Sequence, residues 1–349
     1  MKKRVMAGTL AIGGGARVSV QSMTNTDTRD TEKTLAQIRA LAGAGCDLVR
    51  VSVYDEACAK AVRTLVDQSP VPLCADIHFD HKLALLSMEN GISKLRINPG
   101  NIGSALHEHQ VADCAKAHHI PIRIGVNAGS LEKEILMRDG GATAKGLVDS
   151  ALSHARLLEK AGFEDIVLSM KASDVRLCVD AYRLANQVCD YPLHVGITEA
   201  GLPGMGTVKS AIGIGALLLD GIGDTIRVSL TGDPVKEPEA GLDILRAIGL
   251  RKGISFTSCP TCGRTRIDVE GIARALEKEF SGVDRELSVA VMGCVVNGPG
   301  EARDKDIALC GGNGCGALYR KGQFVRKLEG NLTEEMVKAV REILDHDED

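Results

Sequence analysis

The C-terminal part of the chain carries three cysteines at spacings suited to metal chemistry. Cys259 and Cys262 form a C-x2-C, and Cys294 follows in the run Met292-Gly293-Cys294-Val295-Val296-Asn297-Gly298-Pro299-Gly300-Glu301. The turn inside a C-x2-C lets both thiolates reach one centre, which suits zinc, an iron–sulfur cluster or a redox disulfide. Structural zinc needs a fourth nitrogen or sulfur ligand; His346 is the only histidine of this region, and Cys310 or Cys315 could take that place instead. The competing arrangement is a cluster held by three cysteines and Glu301. A carboxylate is a harder donor than a thiolate, so an iron held by it exchanges that ligand for a substrate oxygen more readily.

A second set of chemistry-bearing residues recurs as i, i+2 pairs, which put both side chains on one face of a strand. These are Ser19 and Gln21, Arg50 and Ser52, Asp76 and His78, Arg96 and Asn98, Ser169 and Lys171, and Arg227 and Ser229; Arg123, Gly125 and Asn127 extend the pattern to a third position. Burying so many polar groups in a solid core would cost several kcal/mol unless each were paired. The mouth of a barrel avoids that cost, because inward residues near the C-terminal ends of its strands converge on one cavity. Ion pairs that merely close the barrel end are the plainer alternative for these cations.

The elements that would position them alternate. Short Val- and Ile-rich runs at 18–21, 48–53, 73–78, 94–98, 120–126, 166–170, 193–198 and 225–230 are separated by stretches of helical spacing such as 31–44, 56–67, 105–117, 143–161 and 173–188. Strands alternating with helices in this number predict an α/β fold, a (β/α)8 TIM barrel; an open doubly wound sheet shares the periodicity. After Gly253 the pattern changes. A strand-like 254–256 leads into the C-x2-C, a helix over 269–280, a strand over 287–292, a Gly-rich segment to Gly316, and a last helix over 333–344 with Thr333 as its N-cap. The expected division is 1–250, a substrate-binding TIM barrel, and 251–349, a small α+β domain around the metal centre.

Composition narrows the function further. The chain has 349 residues, room for about two domains. Its 42 Lys+Arg against 46 Asp+Glu leave a net charge of −4 without a basic block, which argues against a nucleic-acid partner. Aromatics are 3% with no Trp, so base stacking is not expected and the core comes from Val, Ile, Leu and Ala. The 11 cysteines, odd in number and scattered, do not resemble a secreted disulfide framework, so a cytoplasmic location is expected. Gly13-Gly14-Gly15 and Arg17 break the apolar stretch after the basic start, which speaks against a secretory signal. No run approaches the ~20 apolar residues of a membrane span. The glycine runs do not form a phosphate loop either: Lys145 after Gly140-Gly141 is followed by Gly146, where Ser or Thr would be needed, and no G-x-G-x-x-G joins a strand to a helix.

Several long motifs complete the picture. Gln21-Ser22-Met23-Thr24-Asn25-Thr26, Ala75-Asp76-Ile77-His78-Phe79-Asp80, Leu95-Arg96-Ile97-Asn98-Pro99-Gly100-Asn101-Ile102-Gly103, Ile124-Gly125-Val126-Asn127-Ala128-Gly129-Ser130 and Gly196-Ile197-Thr198-Glu199-Ala200-Gly201 join the two cysteine segments. Together they resemble the 4-hydroxy-3-methylbut-2-enyl diphosphate synthase family, iron–sulfur enzymes of the methylerythritol phosphate route to isoprenoids. The resemblance spans nearly the whole chain and is to the short bacterial form, without the large insert of the plant type.

The resemblance implies a (β/α)8 barrel joined to a small 4Fe-4S domain. It implies an oxidoreductase that opens 2-C-methyl-D-erythritol 2,4-cyclodiphosphate to the linear allylic diphosphate with loss of water. By matching motifs, Cys259, Cys262, Cys294 and Glu301 would hold the cluster. Arg50, Arg96, Arg123 and Lys171 would bind the diphosphate, Asn127 and Ser229 would add neutral hydrogen bonds, and Asn297 would sit beside the cluster and touch substrate. Glu199 and Glu301 would be the catalytic carboxylates, Glu199 giving a proton as hydroxyl leaves. A flavodoxin or ferredoxin would deliver electrons, and a head-to-tail homodimer would bring one subunit's cluster to the other's barrel. Cys310 and Cys315 stand outside that ligand set and are expected to be small buried residues. Two rivals stay open: a pteridine-binding TIM-barrel transferase of the dihydropteroate-synthase type with a structural zinc module, and a non-enzymatic iron–sulfur or zinc scaffold whose barrel binds an anionic metabolite.

Overall fold

Aspartates set the starts of many helices. Asp30, Asp55, Asp80, Asp174 and Asp268 accept a backbone N–H from Lys33, Cys58, Lys82, Leu177 and Gly271, and Thr143 accepts one from Gly146. Each cap is worth about 1 kcal/mol and fixes where a loop ends and a helix begins. The computed structural model describes residues 2–78, 80–97 and 105–346; Asn98 and most of the motif around it lie outside them.

The chain opens with a hairpin, β1 (Arg4–Ala7) and β2 (Leu10–Gly13). There follow β3 (Ser19–Met23), α1 (Thr31–Gly43), β4 (Leu48–Ser52), α2 (Glu56–Gln68), β5 (Leu73–Ile77), α3 (His81–Glu89), β6 (Lys94–Ile97), α4 (Ala105–Ala117) and β7 (Ile122–Asn127). Next come α5 (Lys133–Asp139), α6 (Ala144–Lys160), β8 (Ile166–Lys171), α7 (Val175–Val188), β9 (His194–Val195), α8 (Met205–Leu219), β10 (Thr225–Ile226) and α9 (Lys236–Ala247). Strands β3 to β10 form one parallel sheet in the order β8-β7-β6-β5-β4-β3-β10-β9. A bridge between Leu168 and Leu193 joins its two ends and closes the (β/α)8 TIM barrel.

Alternation along the strands sorts the side chains. Val49, Val51, Ala75, Ile77, Ile122, Ile124, Leu168 and Met170 belong to the apolar layer shared with the helices. Leu48, Cys74 and Val167 point the other way, onto Val5, Ala7 and Ile12 of the hairpin. The hairpin, unforeseen from the sequence, thus plugs the lower end of the barrel with apolar side chains and leaves the upper end for polar ones.

The expected strands at 193–198 and 225–230 shorten to two residues each. A Cβ at Gly196 would lie 2.4 Å from the Arg227 carbonyl oxygen, so these two segments pinch together instead of running on as a ladder. Only glycine permits that approach.

The chain divides into two compact units, Met1–Leu250 and Arg251–Asp349. The second contains β11 (Ile254–Ser258), α10 (Val269–Glu279), β12 (Leu287–Met292), the single turn α11 (Gly298–Glu301), β13 (Ile307–Gly312), β14 (Cys315–Arg320), β15 (Gln323–Leu328) and α12 (Leu332–His346). Its sheet runs β11-β12-β13-β14-β15, parallel through β13 and antiparallel beyond. Val289 and Val291 pack with Leu276 of α10 and Met336 of α12 on one face. Ala290, Met292, Ala308 and Cys310 form the other, with Ala302 and part of Cys259.

Two expectations need correction here. The Gly-rich segment holds β13 and part of β14, because a Cβ at Gly311 would meet the Gly293 carbonyl oxygen at 2.7 Å and one at Gly316 would meet Leu309 at 2.4 Å. Glycine there serves close packing inside a sheet. The last helix is capped by Asn331, whose Oδ1 accepts the N–H groups of Thr333 and Glu334 at 3.2 and 3.4 Å; Thr333 lies within the first turn. Among the described residues no helix is long and apolar enough to cross a membrane.

Candidate active site

Strand register sets the inward polar residues against one another. Asp76 stands opposite Ser52 and Arg96, Arg96 opposite Arg123, and Asn127 opposite Lys171. Arg96 Nη1 donates to Asp76 Oδ1 at 2.9 Å and lies 2.9 Å from His78 Nε2. A guanidinium only donates, so His78 Nε2 accepts and its proton sits on Nδ1. Arg50 Nε is 3.5 Å from Asp76 Oδ2, and its Nε and Nη2 face the Met23 thioether at 3.1 and 2.8 Å. Asp76, His78 and Met23 are thus the acceptors that aim two of the arginines. Glycines make the room: a Cβ at Gly125 would lie 2.7 Å from Arg96 Nε, and one at Gly196 would lie 3.0 Å from Lys171 Nζ.

Arg227 is held differently. Glu237, buried on α9, accepts from its Nε and Nη2 at 3.2 and 3.3 Å and also from Ser22 Oγ at 2.8 Å. That carboxylate neutralises Arg227 from the helix side.

Inside the barrel, cations outnumber anions. Among the described residues Asp76 is the carboxylate facing Arg50, Arg96 and Arg123. Arg123 is 1% exposed, and among the described residues its Nε and Nη2 have no hydrogen-bond partner. The same holds for Lys94 Nζ, His194 Nδ1 and both polar ends of Gln21. Burial, and next to it Arg50, pulls Arg123 down to about 9, which leaves it charged at neutral pH. Burial pulls Lys94 down to about 7 and, with Arg123 and Arg227, takes Lys171 well below its ordinary value. Burial alone would push the Asp76 carboxyl up; Arg50, Arg96 and His78 outweigh it and hold the group well below the usual carboxylate range. Each buried donor without a partner costs about 1–3 kcal/mol. A multiply charged anion entering from the mouth removes that cost at several groups together.

The other expected site residues are placed as follows. Asn127 ends β7 and Ser229 follows β10, both half-buried. Glu199 is exposed on the loop after β9, with φ of 51° in the left-handed region. Lys94, His194, Met23 and Glu237 were not foreseen. Lys94 precedes Arg96 by one strand repeat, so alternation alone pointed to it; Glu237 comes from a helix and left no such signal. A cavity of about 520 Å³ lies outside the barrel between α8 and α9. Glu239 and Asp243 on its wall oppose a polyphosphate, and the barrel interior is the better candidate.

In the second unit the thiols and the backbone are arranged for each other. Cys259 Sγ accepts the Gly293 N–H at 3.1 Å. The N–H groups of Asn297, Val296 and Gly298 hold the Cys294 thiol below its usual value, and the backbone and side chain of Arg264 do so for Cys262. Cys262 and Cys294 sense each other's charge. The carbonyl of Asn297 accepts the N–H groups of Gly300 and Glu301, so Asn297 and Glu301 share one helical turn that starts three residues after Cys294; Asn297 and Glu301 are exposed. Among the described residues no group of three or more His, Cys, Asp and Glu is gathered as a single metal ion would need. Thiolates favoured by backbone N–H groups fit a cluster, which spreads its ligands over several irons and is tuned by hydrogen bonds to sulfur. Cys310 is buried, and burial, then Cys294 and Cys259, pushes its thiol up to about 12. It stays a protonated packing residue against Gly298, where a Cβ would lie 2.9 Å from its sulfur. Cys315 is half-buried, next to Gly312 across the β13–β14 turn.

A TIM barrel with surplus buried cations inside it, in a chain that adds a cysteine-bearing α+β unit, defines a two-unit barrel protein. The chain belongs to the GcpE family: the GcpE TIM-barrel domain matches residues 2–242 and the GcpE C-terminal domain residues 255–344. It is 55% identical over 344 residues, 98% of each chain, to the 4-hydroxy-3-methylbut-2-en-1-yl diphosphate synthase (flavodoxin) of Geobacter sulfurreducens. To that of Clostridium perfringens it is 54% identical over 343 residues, again 98% of each. Among solved structures, the dihydropteroate synthase of Yersinia pestis aligns with a TM-score of 0.52 at 14% identity, over 71% of this chain and 100% of that one. The 3-dehydroquinate dehydratase of Geobacillus kaustophilus gives 0.51 at 14%, over 71% and 99%. At such identity the likeness is one of barrel fold. Membership of the GcpE family sets aside the pteridine-transferase reading.

Proposed function

We propose that this chain catalyses the reductive opening and dehydration of 2-C-methyl-D-erythritol 2,4-cyclodiphosphate to 4-hydroxy-3-methylbut-2-enyl diphosphate. The observation that carries the reading is the identity of 55% over 98% of both chains to a relative of that name. The surplus of buried cations at the barrel mouth supports it, since the substrate and the product both keep a diphosphate.

In this reading Arg50, Arg96, Arg123 and Lys171 hold the diphosphate while the C–O bond to phosphate breaks, and Asn127 and Ser229 fix its orientation with neutral hydrogen bonds. Glu199 gives the proton with which hydroxyl leaves as water. Cys259, Cys262, Cys294 and Glu301 are the residues that would hold a 4Fe-4S cluster, with Asn297 beside them. The cluster supplies single electrons at low potential, a pair per turnover, received from a flavodoxin as the relatives' name says of them. The chain acts in the cytoplasm, where its cysteines stay reduced, as a head-to-tail homodimer in which one subunit's cluster unit serves the partner's barrel.

Anaerobic purification followed by metal analysis and an assay with the cyclodiphosphate and a reduced mediator tests the reading. A brown protein with about four irons per chain that consumes the substrate is the expected result. A colourless zinc protein, or an iron protein that leaves the cyclodiphosphate intact, overturns it.

A further inference from the structure

Three basic groups lie buried inside the barrel, Lys171, His194 and Lys94, and the proposed chemistry uses only the first. Lys171 Nζ is 3.2 Å from His194 Nε2. A charged lysine there donates to Nε2, whereas a neutral one can also accept from it, so this pair holds one proton between its two nitrogens. Among the described residues neither His194 Nδ1 nor Lys94 Nζ has a hydrogen-bond partner. Lys171, His194 and Lys94 are 6%, 0% and 0% exposed.

The titratable groups facing these three come from several neighbouring elements. They are Arg50 on β4, Cys74 on β5, Arg123 on β7, Arg227 after β10 and Cys178 on α7, with Asp76 and Arg96 next to Arg123. Tyr182 of α7 gives its hydroxyl hydrogen to the His194 carbonyl. Asp76 is engaged by Arg50 and Arg96, and Glu237 by Arg227. So many basic groups at short range in a low dielectric cannot all be charged at once. The empty-handed site therefore carries fewer protons than it has basic groups, and a diphosphate brings in the missing negative charge.

We propose that Lys171, His194 and Lys94 form a proton-accepting floor to the anion site, taking protons from solvent when the diphosphate enters and returning them when it leaves. The proposal rests on the substrate reading above. Lys94 and His194 are then positioning residues, which set the charge of Lys171 and Arg123 without touching substrate. The direction of the burial effects agrees: all three groups hold their protons weakly in the free protein, Lys94 with a value of about 7. Uptake by Lys94 falls between that value and the ordinary lysine value of 10.5, and it shrinks at lower pH, where Lys94 is charged beforehand.

Calorimetric titration of the cyclodiphosphate into the iron-loaded enzyme, without an electron donor and in two buffers of different ionisation enthalpy, counts these protons. Near pH ~8 the expected uptake is about one proton per site, shrinking toward pH ~6. Lys94→Met and His194→Gln each lower the count while binding persists. Binding with heats that do not depend on the buffer overturns the proposal and leaves the substrate reading standing. Uptake of wild-type size in both variants places the protons elsewhere and overturns it too. Absence of binding overturns the substrate reading, and this proposal with it.

Discussion

Arg96 reaches Asp76 at 2.9 Å by lying across the bare Cα of Gly125, whose missing Cβ would stand 2.7 Å from Arg96 Nε. The guanidinium therefore owes its position to a glycine on the next strand as much as to its carboxylate. Gly125→Ala must push the guanidinium aside and loosen its bonds to Asp76 and His78. The expected result is a KM raised about tenfold, near 1.4 kcal/mol, with the fold retained because the obstacle is a side-chain end. Steady-state kinetics with the cyclodiphosphate check this; an unchanged KM would show that Arg96 does not bind substrate from this position.

Asp76 makes the acid limb of stability predictable. Its folded value is depressed, so its contribution is complete above the unfolded value of about 3.9 and is lost as pH falls through the lower folded one. Asp76→Asn leaves Arg50 and Arg96 buried without their counter-charge, which costs about 3 kcal/mol at neutral pH. Denaturant melts from neutral to acid pH should show the wild type losing its advantage below about pH 4 and the two curves drawing together. Parallel curves throughout would mean that the carboxylate does not stabilise the charged pair.

These two residues also show how far sequence alone reaches. The i, i+2 pattern exposed Arg50, Asp76, Arg96, Arg123 and Lys171 because a strand's period is fixed by its backbone, and the same period included Lys94. Glu237 was illegible because it enters from α9, and a helix carries no record of which strand residue it will meet. The hairpin Arg4–Gly13 escaped because strands this short have little periodicity to read, and the pinch at Gly196 because a glycine's reason lies in its spatial neighbour. For the cysteines, spacing indicated a metal centre, while only the fold shows Asn297, Val296 and Gly298 turned toward Cys294.

Glu301 closes the helical turn that begins at Asn297, three residues after Cys294. If it is the fourth ligand, Glu301→Ala retains part of the iron on three thiolates and loses turnover. Iron analysis with electron paramagnetic resonance of the reduced protein, beside the assay, separates the two effects. Full activity would remove Glu301 from the site.

Glu199 sits in a left-handed backbone conformation that costs a non-glycine residue roughly 1–2 kcal/mol. Glu199→Gly relieves that strain, although glycine gives some back through its freer unfolded chain. Equal or higher thermal stability with turnover lowered at least about a hundredfold is the expected pair of results for a proton donor. Turnover at the wild-type rate would strip Glu199 of that role.

Arg123 poses the sharpest opposition between stability and function. Its Nε and Nη2 are buried without partners among the described residues, and Arg50 and Arg96 repel it. A fold does not keep such a group for its own sake. Arg123→Met fills much of the same volume with apolar atoms and removes a buried charge whose one facing carboxylate, Asp76, is already engaged by Arg50 and Arg96, so the substrate-free protein should gain about 1–3 kcal/mol and melt at a higher temperature. The same change deletes a charged donor to the diphosphate, worth about 3 kcal/mol, so kcat/KM should fall about a hundredfold. Melting curves with and without the cyclodiphosphate test both halves together: the variant should be the more stable alone and gain less from the substrate. A variant less stable alone would mean that Asp76 compensates Arg123 in the resting protein. An undiminished stabilisation by substrate would place the diphosphate away from this side chain.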